Sequence, residues 1–212
     1  MLTLRDDIYV VAEDKHINKM ATHLHAKLLS QWELDTAEIF VYGRCYRNPA
    51  KGGSGFVPEV FKGGTGKTEY AEVLANDKVT ATAFFGIGET IRYQNQNVCP
   101  VHLIVSVNLA RLWGTELGGT GQSRADADVR VDVQNIVHNK FDMRITAIKT
   151  GIDNVYAEYP GSRERLRTKD MQPLHVFRID FDLSYNINNS CVKKKSRPSV
   201  RIFDDPFADV FE

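Results

Sequence analysis

The sequence predicts an α+β fold: a mixed, largely antiparallel sheet with amphipathic helices on one face, a long Gly-rich arm and an extended C-terminal tail. Three observations predict it. Residues 14–34 repeat apolar side chains at helical spacing, residues 174–187 alternate them at strand spacing, and glycine-rich breaks separate β-rich runs between the two. Elements with one apolar face bury each other as layers. The organisation expected is a single α+β domain over 1–190, with an arm inserted at about 48–78, followed by a docking tail over 191–212.

The helix comes first. In DKHINKMATHLHAKLLSQWEL (14–34), Ile17, Met20, Ala21, Leu24 and Leu28 follow the i, i+3, i+4, i+7 rule. Asp14 is placed to cap its N-terminus. AEIFVYGRCYR (37–47) is rich in β-branched and aromatic residues and reads as a strand. From Asn48 to about Lys78 the chain carries six glycines, and a long insertion of that kind is usually functional or disordered. Phe56, Val57, Val60 and Phe61 make it more than an inert linker, so it reads as an arm that docks on something.

Residues 79–93 and 98–112 read as two long strands joined by a hairpin at 93–98. Val101, Leu103, Val105 and Val107 of the second lie on one face. Residues 123–139 are ambiguous. Their valines alternate like a strand, but Ser123 as cap, the acidic first turn and the Ala125, Val129, Val133, Ile136 spacing favour a helix. MRITAIKTGI (143–152) reads as a strand that DNVYAEYP (153–160) could continue, and 161–173 as loop or short helix. In the final strand, Phe177, Ile179, Phe181, Leu183, Tyr185 and Ile187 alternate with Arg178, Asp180, Asp182, Ser184 and Asn186, which predicts one buried face and one wet face. The tail places Lys193, Lys194, Lys195, Arg197 and Arg201 before four acids, with Phe203, Phe207 and Phe211 every fourth residue. A segment patterned this way folds against a partner or packs on its own domain.

Composition excludes several classes. The chain has 212 residues, with 27 Lys and Arg against 27 Asp and Glu. A neutral chain lacks the cation surplus that coats nucleic acid or an anionic membrane. No stretch approaches the roughly 18 apolar residues of a membrane helix. The opening MLTLRDDIYVV has acids where a signal peptide carries cations, so synthesis in a reducing cytoplasm is expected. Cys45, Cys99 and Cys191 are odd in number and form no CxxC pair, which suggests neither disulfides nor zinc.

Candidate chemistry is sparse. Gly63-Gly64-Thr65-Gly66-Lys67-Thr68 resembles the end of a phosphate-binding loop, but the glycine that motif requires five positions before Gly66 is Phe61. His16, His23 and His25 lack ligand spacing on one helix face. His102, His138 and His175 are isolated in sequence. Asp180 and Asp182 stand about 7 Å apart on one strand face, where solvent or a neighbouring subunit accounts for them. Trp32 and Trp113 read as core edge. The sequence therefore assigns no catalytic residue, no cofactor and no metal. The partner-binding candidates are Phe56, Phe61, Lys193, Lys194, Lys195, Arg197, Phe203, Phe207 and Phe211.

The order of elements, with the INKMATHLHAKL helix and the closing RIDFDLSY strand, resembles the neck proteins of tailed bacteriophages. The likeness is to the tail-terminator and head–tail connector group, and within it to phages infecting Bacteroidota, including the crAss-like group. The match covers roughly residues 14–187, and the glycine-rich insertion and aromatic tail depart from the minimal fold. The resemblance implies a virion protein that forms a six- or twelve-membered ring between portal and tail. It would bind itself and adjacent portal, connector or tail proteins, with DNA passing through its lumen and no membrane contact. Two other classes stay open: a P-loop-like nucleotide-binding enzyme and a cellular α+β protein-interaction module.

Overall fold

The computed structural model describes residues 12–62, 70–76, 78–88, 92–93, 97–114, 120–138, 143–167 and 174–185. The first helix, α1 (Ala12–Gln31), carries the predicted stripe: Ile17, Met20, Leu24 and Leu28 are all buried. Asp14 lies inside this helix rather than at its cap, where it accepts a 3.0 Å hydrogen bond from Arg44. The helix ends with Glu33 at φ 52° and Leu34 N–H bonded to the Leu29 carbonyl.

Six strands form the main sheet: β1 (Ile39–Arg44), β5 (Ala81–Ile87), β6 (Arg92–Tyr93), β7 (Asn97–Asn108), β8 (Met143–Thr150) and β9 (Leu174–Tyr185). Their order is β1-β5-β7-β9-β8, with β6 pairing the start of β7. Only β1 and β5 run parallel among these pairs. The expected hairpin is present, since β5 and β7 pair antiparallel from Ala81 opposite Val107 to Ile87 opposite Val101. β7 and β9 pair over their whole length, Asn97 opposite Tyr185 to Asn108 opposite Leu174. Pro100 is tolerated in this central strand because β5 has already ended beside it, and its carbonyl accepts from Gly88 N–H.

Residues 123–138 are helical, within α3 (Thr120–His138). The helix starts ahead of Ser123, which is therefore not its cap, and its first turn carries no acid; the signal that held is the apolar spacing of Val129, Val133 and Ile136, all buried. With α1, α3 covers one sheet face, where Val129, Val133 and Val137 meet Leu103, Val105, Phe177 and Ile179. Between them, α2 (Leu109–Trp113) begins where the Asn108 side chain accepts from Arg111 N–H. Trp32 is buried as expected and donates to Asp132, whereas Trp113 is exposed.

The other sheet face is covered too, which the final strand's polar alternation did not foretell. The proposed arm folds back as a second, three-stranded antiparallel sheet, β2 (Tyr46–Pro49), β3 (Phe56–Phe61) and β4 (Tyr70–Glu72). Its glycine turn docks on a helix. Gly55, at φ 88°, sits so close to the start of α5 (Pro160–Arg167) that a Cβ there would lie 2.9 Å from Gly161 N. Residues 153–160 do not extend a strand; they form α4 (Ile152–Val155) and a turn. Cys45, Val73, Phe84, Ile104, Tyr156, Tyr159, Leu166 and Val176 make this second core. The Gly63–Thr68 segment lies outside the described residues. The strands flanking it pair antiparallel as a hairpin, whereas a phosphate loop runs from strand to helix.

Candidate functional site

The alternation of β7 sends Leu103 and Val105 to the helix-covered face and His102 to the opposite one. There His102 faces Gly86 on β5 and Asp180 on β9. Gly86 makes the space. A Cβ at that position would overlap His102 Nε2, and would lie 2.5 Å from its Cε1 and 2.7 Å from the Tyr159 hydroxyl. His102 is 2% exposed, with Nε2 3.1 Å from the Tyr159 hydroxyl and Nδ1 3.6 Å from Glu158 Oε2.

Arg178 stands beside it on β9 and is 6% exposed. Its Nη2 donates to Glu158 Oε1 at 2.8 Å and its Nε to Asp180, whose other oxygen is 2.6 Å from Lys149 Nζ. A buried guanidinium needs this compensation, since an unpaired charge away from water is expensive. Arg178 Nη1 is buried without a partner among the described residues. Cleft walls from Gly88, Pro100, Thr146 and Asp182 enclose about 250 Å³ beside the cluster.

Electrostatics follow from burial. Desolvation lowers the His102 pKa from 6.5 to about 4, with Arg178 acting in the same direction, so the ring is neutral near pH 7. Burial raises the Glu158 and Asp180 carboxyls. Cationic and hydrogen-bonding neighbours more than offset this and hold both below their ordinary values. Burial pushes the Tyr159 hydroxyl well above its usual range. Of the side chains lining the cleft, only Thr146 carries a hydroxyl. The carboxylates are engaged by Arg178 and Lys149, so the cluster ties β7, β8, β9 and the 156–159 turn together. Among the described residues, no group of three His, Cys, Asp or Glu side chains is placed to hold a metal, and no helix is long and apolar enough to cross a membrane.

Sequence reasoning treated His102 as isolated and read the face of Arg178 and Asp180 as turned to solvent or to a neighbouring subunit. A polar residue within the apolar run 98–107 was the one signal of the cluster. Gly86, opposite it, becomes informative only once the register is known.

The predicted partner-binding residues are scattered. Phe56 and Phe61 are 37% and 40% exposed, and their spacing puts them on opposite faces of β3. The Arg47 guanidinium stacks over Phe56 at 4.1 Å, and Phe61 packs on Tyr70 with ring centres 5.3 Å apart. Lys193, Lys194, Lys195, Arg197, Phe203, Phe207 and Phe211 lie outside the described residues.

The sheet also ends in two unlike edges. Among the described residues, β1 pairs only with β5 and β8 only with β9. Phe40 on β1 is 41% exposed and Ile148 on β8 is 42% exposed. No protein-family model, no curated protein and no solved structure matches the chain.

Proposed function

We propose that this chain is a structural subunit of a ring in the neck of a tailed bacteriophage, in the tail-terminator or head–tail connector position. The observation that carries this reading is the pair of unlike sheet edges, β1 at one end and β8 at the other, each unpaired on its outer side among the described residues and each with a large, partly exposed apolar side chain. Two different surfaces on opposite sides of one subunit, each complementary to the other, give heterologous contacts, and these close into rings when the rotation between copies allows it. The resemblance of the α1 and β9 sequences to neck proteins supplies the biological setting.

Six or twelve copies would sit between portal and tail, with DNA passing through the lumen. Phe56 and Phe61 on the folded-back hairpin, and the basic and aromatic residues of the 191–212 tail, would contact neighbouring copies or adjacent rings. The even charge balance suits passage of DNA without capture, because no cation surplus holds the phosphates. Electron microscopy of the purified full-length protein tests the reading: rings of uniform diameter are expected. A population of single particles at every concentration would sink it, and so would ATP binding that disappears in Lys67→Ala.

A further inference from the structure

We infer that neighbouring copies join by antiparallel pairing of β8 of one copy with β1 of the next, so that one sheet continues around the assembly. This rests on the ring reading and specifies its contact. Strand directions permit it. β1 is parallel to β5, and β5, β7, β9 and β8 alternate, so β1 and β8 run in opposite directions. A copy added by continuing the sheet therefore presents its β1 antiparallel to β8, which needs no reversal of the subunit.

The faces restrict the register to every second residue. On β1, Ile39 and Val41 point toward the α1/α3 core, and Tyr42 points toward the second core. Phe40, between Ile39 and Val41, shares the Tyr42 face. On β8, Ile148 and Thr150 stand opposite Ile179 and Phe177, both in the helix-side core, while Ala147 and Lys149 stand opposite Asp180 and Arg178. Side chains directly across a ladder must share a face, and a slip of one residue breaks that rule. With Val41 opposite Ile148, Phe40 meets Lys149 and Tyr42 meets Ala147, and the two exposed apolar side chains are both covered. A slip of two residues toward the strand start would put Val41 opposite Thr146, inside the irregularity between Ile145 and Ala147.

The usual guards against edge pairing are weak at these positions. Edge strands are normally blunted by charge, and β1 carries none before Arg44, which is held by Asp14. Lys149 on β8 is drawn to Asp180 rather than left to the solvent. Pairing β1 with β1, or β8 with β8, would stop at a dimer with the other edge still open.

The test uses the full chain with Cys191→Ser, since Cys45 and Cys99 are buried. Phe40→Cys and Lys149→Cys, both at half-exposed positions, are made singly and together. They are treated with a thiol linker a few ångströms long. The expected result is a covalent ladder ending at the ring's copy number in the double variant and no ladder in either single variant. Dimers from either single variant would overturn the inference in favour of like-edge pairing. Rings on electron microscopy with no ladder would overturn it while leaving the ring reading standing; single particles with no ladder would overturn both. Hydrogen exchange on the unaltered chain gives a readout without substitutions: amides of 39–42 and 147–150 should gain protection together on assembly, and unchanged exchange at both edges in intact rings would refute the pairing.

Discussion

Replacing Gly86 by Ala tests whether the His102 cluster is built as described. In an open strand this substitution stabilises, by about 0.4–1 kcal/mol, because alanine restricts the unfolded chain. Here the added methyl would overlap His102 Nε2 and sit 2.7 Å from the Tyr159 hydroxyl. Both rings are almost wholly buried and hydrogen-bonded to each other, so making room for the methyl means breaking that bond. Overpacking of this kind costs about 1–3 kcal/mol, and displacing the His102–Tyr159 hydrogen bond strands buried polar groups at about 1–3 kcal/mol more. The expected net loss is about 2–4 kcal/mol, or roughly 5–15 °C in Tm for a chain of this size. Urea denaturation followed by circular dichroism measures it. The same substitution in a His102→Ala background should cost much less, since the clashing ring is gone; a coupling of about 1–3 kcal/mol is expected for residues in direct contact. Wild-type stability for Gly86→Ala, or strictly additive losses in the double variant, would refute the described packing.

Gly43→Ala makes the contrast. Its Cβ would meet the Asn18 amide, the free end of a flexible side chain on α1, which can rotate away, so stability should stay within about 1 kcal/mol of wild type. Glu33→Gly should stabilise by about 0.5–1 kcal/mol, because φ 52° at the end of α1 suits glycine and strains any residue with a Cβ; an unchanged denaturation midpoint would contradict this. Acid should unfold the protein through His102. Its pKa falls from 6.5 to about 4 on folding, so below pH 6.5 the unfolded chain binds the proton that the folded chain refuses. Stability is then at its plateau above 6.5 and drops by roughly 3 kcal/mol as pH falls to 4. Stability curves of wild type and His102→Gln compare directly, and an equal slope in both across that window would count against the neutral, buried imidazole.

Much of the fold was legible because periodicity reports burial on one face. The α1 stripe, the β7 face of Val101, Leu103, Val105 and Val107, and the alternation from Phe177 to Leu183 all read correctly, since each meets the same helix-side core. The second core was not legible, because it is assembled from single residues of many short elements. Val73, Tyr156, Tyr159 and Leu166 carry no period that a window of sequence can detect. The glycines of 52–55 suggested an arm that docks on something, without saying on what. What it docks on is its own domain: the glycines bring the turn against Gly161, a contact between residues more than a hundred positions apart. Arg178 and Asp180 misled for a related reason: polar alternation marks water or a compensated cluster equally well, and only the Glu158 turn decides between them.

The outer edges of β1 and β8, unpaired among the described residues, carry the functional account, so the mass of the assembled particle tests it most directly. Native mass spectrometry of the full-length chain, at concentrations spanning a hundredfold, should give one dominant species at six or twelve times the 24.0 kDa subunit. A monomer throughout, or a dimer that grows no further, would contradict the ring.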